Sequence, residues 1–136
     1  MQINPYLNFN GNCAEAMPFY AEVLGGKDLR IMMFRDSPMA ERMADSEKDM
    51  VMHARFAVGD STIMASDSPG GRYSRPQGYA VCIGVDTPED AERIFEALSK
   101  GGNVGMPIAE TFWAQRFGMV TDRFGTPWLV NCEKPR

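Results

Sequence analysis

His53 is the only histidine in the chain, and it stands in the run MVMHARF. A neutral imidazole binds metals and accepts a proton near neutral pH. Its neighbours alternate as on a strand, so His53 reads either as a satisfied pocket residue or as a ligand or general base facing a cavity. Glu110 is the best acidic companion. It opens ETFWAQRFGMVTDRFGTPW, which holds both tryptophans and three of the eight phenylalanines. Asp67 ends a predicted strand, as a turn residue or a pocket residue. Converging from separate strands, His53, Glu110 and Asp67 would form a facial triad suited to iron or manganese.

Nucleophiles are poorly supported. Ser66, Asp67 and Ser68 lack the strand–elbow–helix setting of a catalytic serine. Cys13 falls at a predicted helix N-terminus, where a thiol pKa is able to drop; packing beneath the helix is the plainer reading. Cys13, Cys82 and Cys132 are odd in number and form no CxxC pair. They read as free buried thiols in a reducing cytoplasm.

The elements that position these residues come in two similar sets. AEAMPFYAEVLGG (Ala14 to Gly26) and AERIFEALSKGG (Ala91 to Gly102) share an Ala-Glu start, apolar residues at helical spacing and a Gly-Gly stop. Asn12 is placed to cap the first helix and Thr87 the second, with Pro88 at its first position. A strand precedes each helix: PYLNFN alternates, while YAVCIGV (Tyr79 to Val85) is continuously apolar, as in a strand buried on both faces. Each helix is followed by three strands. In the first set these are Leu29 to Phe34 and a hairpin over Met50 to Asp67 turning at Gly59-Asp60. Arg35 to Asp49 connects them. In the second they are NVGMPIAET and a hairpin over Arg116 to Cys132 turning near Asp122 to Gly125. Module one spans 1–67, a Gly/Pro/Ser/Arg-rich linker 68–78, and module two 79–136. The fold class is α+β: two βαβββ modules forming one cupped, mixed-sheet domain.

The chain has 136 residues, 44% apolar and 24% charged, with a formal charge of −4. This suits one soluble domain and argues against a nucleic-acid partner, whose footprint is basic. No signal peptide or membrane-spanning run is expected. Eleven methionines is a high count. Met32, Met33, Met39, Met43, Met50, Met52 and Met64 are expected mostly in the core, some lining an adaptable apolar pocket.

NPYLNFNGNCAEAMPFYAEVLGG, MHARFAVGDSTIMASD and ETFWAQRFGMVTDRFGTPWLVN together resemble the vicinal oxygen chelate superfamily of glyoxalase, bleomycin-resistance and extradiol dioxygenase proteins, in its PhnB-like subgroup. The resemblance covers most of the chain. It implies the paired-module fold, a cupped sheet and a homodimer, and leaves the reaction open. Members carry names linked to phosphonate metabolism or to demethylubiquinone methylation. Here no glycine-rich loop follows a strand as a nucleotide-like cofactor requires, and no cofactor is expected. The superfamily's metal-ligand positions fall near Pro5, Tyr79 or Ala80, and Leu129. None suits a divalent cation, so the usual metal site is expected to be absent.

The expected ligand pocket comprises Phe34, His53, Met64, Phe112, Trp113 and Phe117, with His53 and Glu110 as the candidate polar or catalytic groups; Glu110 to Phe117 is expected to be an edge strand whose acid and aromatics face the cup. The expected function is small-molecule binding without the usual metal. One alternative is a metal-dependent lyase or dioxygenase using His53, Glu110 and Asp67. Another is a drug-sequestering resistance protein.

Overall fold

Alternation in YLNF makes the first strand one-sided. β1 (Tyr6–Phe9) buries Leu7 and Phe9 and leaves Tyr6 and Asn8 exposed. This is a computed structural model, and it describes residues 1–135. The chain divides into two compact units, Met1–Ser74 and Arg75 onward. The boundary lies inside the expected linker, which forms no helix or strand.

In the first unit, α1 (Cys13–Leu24) follows β1 and ends at Gly25, whose φ of 69° supplies the left-handed cap. Next come β2 (Lys27–Met33), three short 3₁₀ turns between Phe34 and Glu47, and the hairpin β3 (Val51–Val58) and β4 (Ser61–Asp67). The hairpin turns at Gly59-Asp60, with Gly59 at φ 54°. The sheet order is β1-β4-β3-β2, with β1 parallel to β4 and the other pairs antiparallel. One face packs on α1. Leu7, Phe9, Ala54, Phe56, Ile63 and Ala65 meet Ala16, Met17 and Tyr20 there, all buried. Phe9 lies 6.2 Å from Tyr20, ring centroid to centroid. Each large side chain buried in this way contributes about 1.5–3 kcal/mol.

The expected helix cap is corrected. Asn12 precedes α1, but its side chain makes no capping hydrogen bond. Asp67 caps the helix instead, from the end of β4: its carboxylate accepts from the Cys13 and Gly11 N–H groups at 3.1 and 2.8 Å. Its other oxygen accepts from Val51 N–H at 2.8 Å. A long-range carboxylate has taken the position the local asparagine was expected to fill.

The second unit repeats the plan. β5 (Val81–Gly84) leads to α2 (Pro88–Ser99), then β6 (Asn103–Ala109), β7 (Ala114–Thr121) and β8 (Pro127–Glu133), in order β5-β8-β7-β6. Thr87 caps α2 as expected, its hydroxyl accepting from Asp90 N–H at 3.2 Å, with Pro88 in the first turn. Ala91, Ile94, Phe95 and Leu98 are buried against one sheet face, with Val120, Trp128 and Val130. The β7–β8 turn is built on buried Asp122. One of its carboxylate oxygens accepts from Phe124 and Thr126 N–H, and the other from the Trp128 indole at 2.8 Å.

Two expected strands differ. β5 is not buried on both faces: Cys82 and Gly84 are exposed, because α2 covers one side of the sheet only. Glu110 to Phe117 is not an edge strand. Glu110 to Trp113 form the loop between β6 and β7, β7 is interior, and β6 is the edge.

Candidate functional site

Each sheet has a face turned away from its helix, and only some of the candidate residues lie on these faces. In the first unit the register fixes two rows. Tyr6 pairs with Met64, Met64 with Arg55, and Arg55 with Arg30, giving one row across all four strands. At the next position of the same face, Asn8 pairs with Ser66 and His53 with Met32. His53 is half-buried. Its ring centroid lies 5.9 Å from that of Tyr6 at an interplanar angle of 37°. These residues stand two strands apart, so the rings lean toward each other over β4. The face combines aromatic, thioether, amide, hydroxyl and guanidinium groups.

Of the expected first-unit pocket residues, His53 and Met64 share this face. Phe34 does not act beside them as an open wall: it begins a 3₁₀ turn and is only 7% exposed. The methionine expectation is also corrected. None of the seven methionines singled out from the sequence is buried, and Met32 is 49% exposed. They lie on the open face, in the 3₁₀ segment and at strand ends, where no helix covers them. Tyr6, Asn8, Arg30, Arg55 and Ser66 were not singled out from the sequence. Stepping by two from His53 and Met64 reaches Arg55 and Ser66, so strand periodicity carried part of the signal. Arg30 and Tyr6 needed the register.

Asp67 leaves the candidate set. It lies on the helix face, 3% exposed, with three backbone N–H groups on its carboxylate, opposite the face that bears His53. A facial triad that includes both is therefore ruled out by the pleat of the sheet. Among the described residues, no three of His, Cys, Asp and Glu gather as a metal-holding group.

The thiols are also corrected. Cys82 is exposed, while Cys13 and Cys132 are buried, and all three are free. Burial, and next the Asp67 carboxylate, push the Cys13 thiol up to about 12. A helix N-terminus lowers a thiol pKa only when the thiolate is not desolvated beside an anion. Cys13 is thus no activated nucleophile.

In the second unit, Phe112, Trp113 and Phe117 come together. Trp113 stands edge-on to both, at centroid distances of 4.8 and 5.2 Å. Phe112 is 89% and Trp113 46% exposed. The loop that carries them is shaped by Thr111, whose hydroxyl accepts from Trp113 and Ala114 N–H. Glu110 pairs with Lys134 at 3.6 Å. A separate groove of about 530 Å³ is lined by Tyr79, Ala80, Met119, Thr121 and Leu129, among others. It contains two of the positions at which the superfamily resemblance places metal ligands, Tyr79/Ala80 and Leu129. The side chains there, like Pro5 in the first unit, lack the carboxylate, imidazole or thiolate donors a divalent metal needs. The groove does not fit that metal.

Two βαβββ modules, each a four-stranded mixed sheet with one covered and one open face, define a glyoxalase-like α+β protein. Solved glyoxalase/bleomycin resistance/dioxygenase domains share this fold. The family model described as 3-demethylubiquinone-9 3-methyltransferase matches residues 1–131, and the chain belongs to that family, the PhnB-like branch of the superfamily. It is 34% identical to protein YjdN of Escherichia coli K12, over 98% of this chain and 97% of that protein. The crystal structure of protein PA1353 from Pseudomonas aeruginosa superposes with a TM-score of 0.90 at 50% identity, covering 99% of both chains. A Bacillus cereus structure, reported as a putative 3-demethylubiquinone-9 3-methyltransferase and PhnB protein, gives a TM-score of 0.76 at 21% identity. It covers 97% of this chain and 99% of its own.

Proposed function

We propose that this PhnB-like protein binds a small molecule on the open face of its first sheet and does so without the superfamily's usual metal. The observation that carries the reading is the first-unit face. It sets the only histidine beside Tyr6, with Met32, Met64, Asn8 and Ser66 around them. Apolar walls with a few placed polar groups are what a ligand surface requires. In this reading His53 orients a polar group of the ligand, and Tyr6 and Met64 hold its apolar body. The metal-free part rests on the side chains at Pro5, Tyr79/Ala80 and Leu129, and on Asp67's commitment to backbone donors. The methyl transfer in the family description finds no glycine-rich strand-to-helix loop here: Asn10-Gly11-Asn12 and Val85-Asp86-Thr87 fill those positions.

A thermal-shift screen of small aromatic compounds, run before and after chelation with EDTA, tests this. Compounds are expected to stabilise the wild type equally with and without chelator, and to bind His53→Ala at least tenfold more weakly. Stabilisation that vanishes with EDTA, or hits indifferent to His53→Ala, would contradict the proposal.

A further inference from the structure

Two arginines stand opposite each other on the open face of the first unit: Arg30 on β2 is the register partner of Arg55 on β3. Like charges directly opposite in a sheet repel. Both side chains are exposed, and neither makes an ion pair or side-chain hydrogen bond among the described residues. Asp28, two residues before Arg30, pairs with neither. The chain has 18 acidic against 14 basic residues, so acids are plentiful, yet none among the described residues forms an ion pair with either arginine. The same row continues from Arg55 to Met64 and Tyr6.

We infer, resting on the reading of this face as a ligand surface, that the ligand carries an oxyanion, a carboxylate or phosphate, seated between Arg30 and Arg55. Its apolar body lies over Met64 against the Tyr6 and His53 rings. The guanidinium fork donates two parallel hydrogen bonds to such an oxyanion, and two forks neutralise each other's repulsion through it. Neighbouring strands are about 4.8 Å apart. The anionic head therefore sits about one and a half strand spacings, roughly 7 Å, from the Met64 strand, a span that the long arginine stems shorten to the reach of a single-ring aromatic acid.

The probes are benzoate and phenyl phosphate, with neutral benzyl alcohol as the control. Binding is followed by NMR through the Met64 methyl and His53 ring signals. Both anions are expected to shift these signals, and the stronger binder names the head group. Benzyl alcohol should bind at least tenfold more weakly. Arg30→Gln and Arg55→Gln, at exposed positions, should each weaken anion binding about tenfold, and added salt should do the same. Equal binding of benzyl alcohol, with both variants unchanged, would overturn the anionic head while leaving the ligand face intact. No shift at Met64 or His53 with any probe would overturn both.

Discussion

Asp67 shows how a residue that looks functional is consumed by the fold. Its carboxylate joins three segments by accepting from Gly11, Cys13 and Val51. An amide in its place presents a donor to one of those N–H groups. Asp67→Asn is therefore expected to lower stability by about 1–3 kcal/mol, read by urea denaturation; unchanged stability would refute the triple bond set. Cys13 makes a second prediction. Its folded thiol is raised to about 12 against an ordinary value near 9. In that window the folded state holds a proton that the unfolded state has released. Its contribution is fully present below pH 9 and is lost as pH rises toward 12. Denaturation midpoints should fall over that range, and fall less steeply in Cys13→Ser. Cys82, the exposed thiol, should react with a thiol reagent well before Cys13 and Cys132 do. From the sequence, all three cysteines read as buried thiols, and Asp67 as a turn residue or a pocket acid. Only the three-dimensional neighbourhood separates them, because burial and long-range hydrogen bonds leave no local pattern.

At the scale of elements, local patterns told more. The period-two alternation of YLNF, the Gly59-Asp60 turn and the Thr87-Pro88 helix start all produced the elements expected of them. Each signal is short-range and acts within a few residues. The failures have a common cause. β5 is apolar throughout yet half-exposed, and Glu110–Phe117 reads as one strand yet splits into loop and strand, because sheet position and register are set by distant partners. The helix caps test this difference. Thr87→Ala should cost about 1 kcal/mol. Asn12→Ala should cost clearly less, since its side-chain oxygen is buried without a partner among the described residues. Equal losses would mean that Asn12 caps α1 after all. Gly118 tests packing: a Cβ there would meet the Phe95 ring at 2.7 Å and Ile108 Cα at 3.0 Å. Gly118→Ala should destabilise by about 1–3 kcal/mol through overpacking of α2 on β7.

For the whole molecule, the repeated βαβββ plan was legible because helix periodicity and the Gly-Gly stops occur twice. The ligand face was legible only in part. His53 and Met64 stood out by rarity and strand phase, while Arg30, Arg55 and Tyr6 joined them through pairing across four strands. The edge strands β2 and β6 expose Leu29, Ile31, Val104 and Met106, apolar surface that we propose a second copy covers. Light scattering should then give twice the 15.1 kDa chain mass, whereas a monomer at tens of micromolar would reject the dimer. No helix among the described residues is long and apolar enough to cross a membrane. The central claim, that the open face around His53 holds the ligand, is tested most directly by NMR on protein labelled at methionine methyls and the histidine ring. The thermal-shift hits serve as ligands, and buried Met17 as the internal control. The account predicts that Met32, Met64 and His53 shift together while Met17 stays still, with and without EDTA. Ligands that leave His53 and Met64 unmoved while perturbing other signals would contradict it.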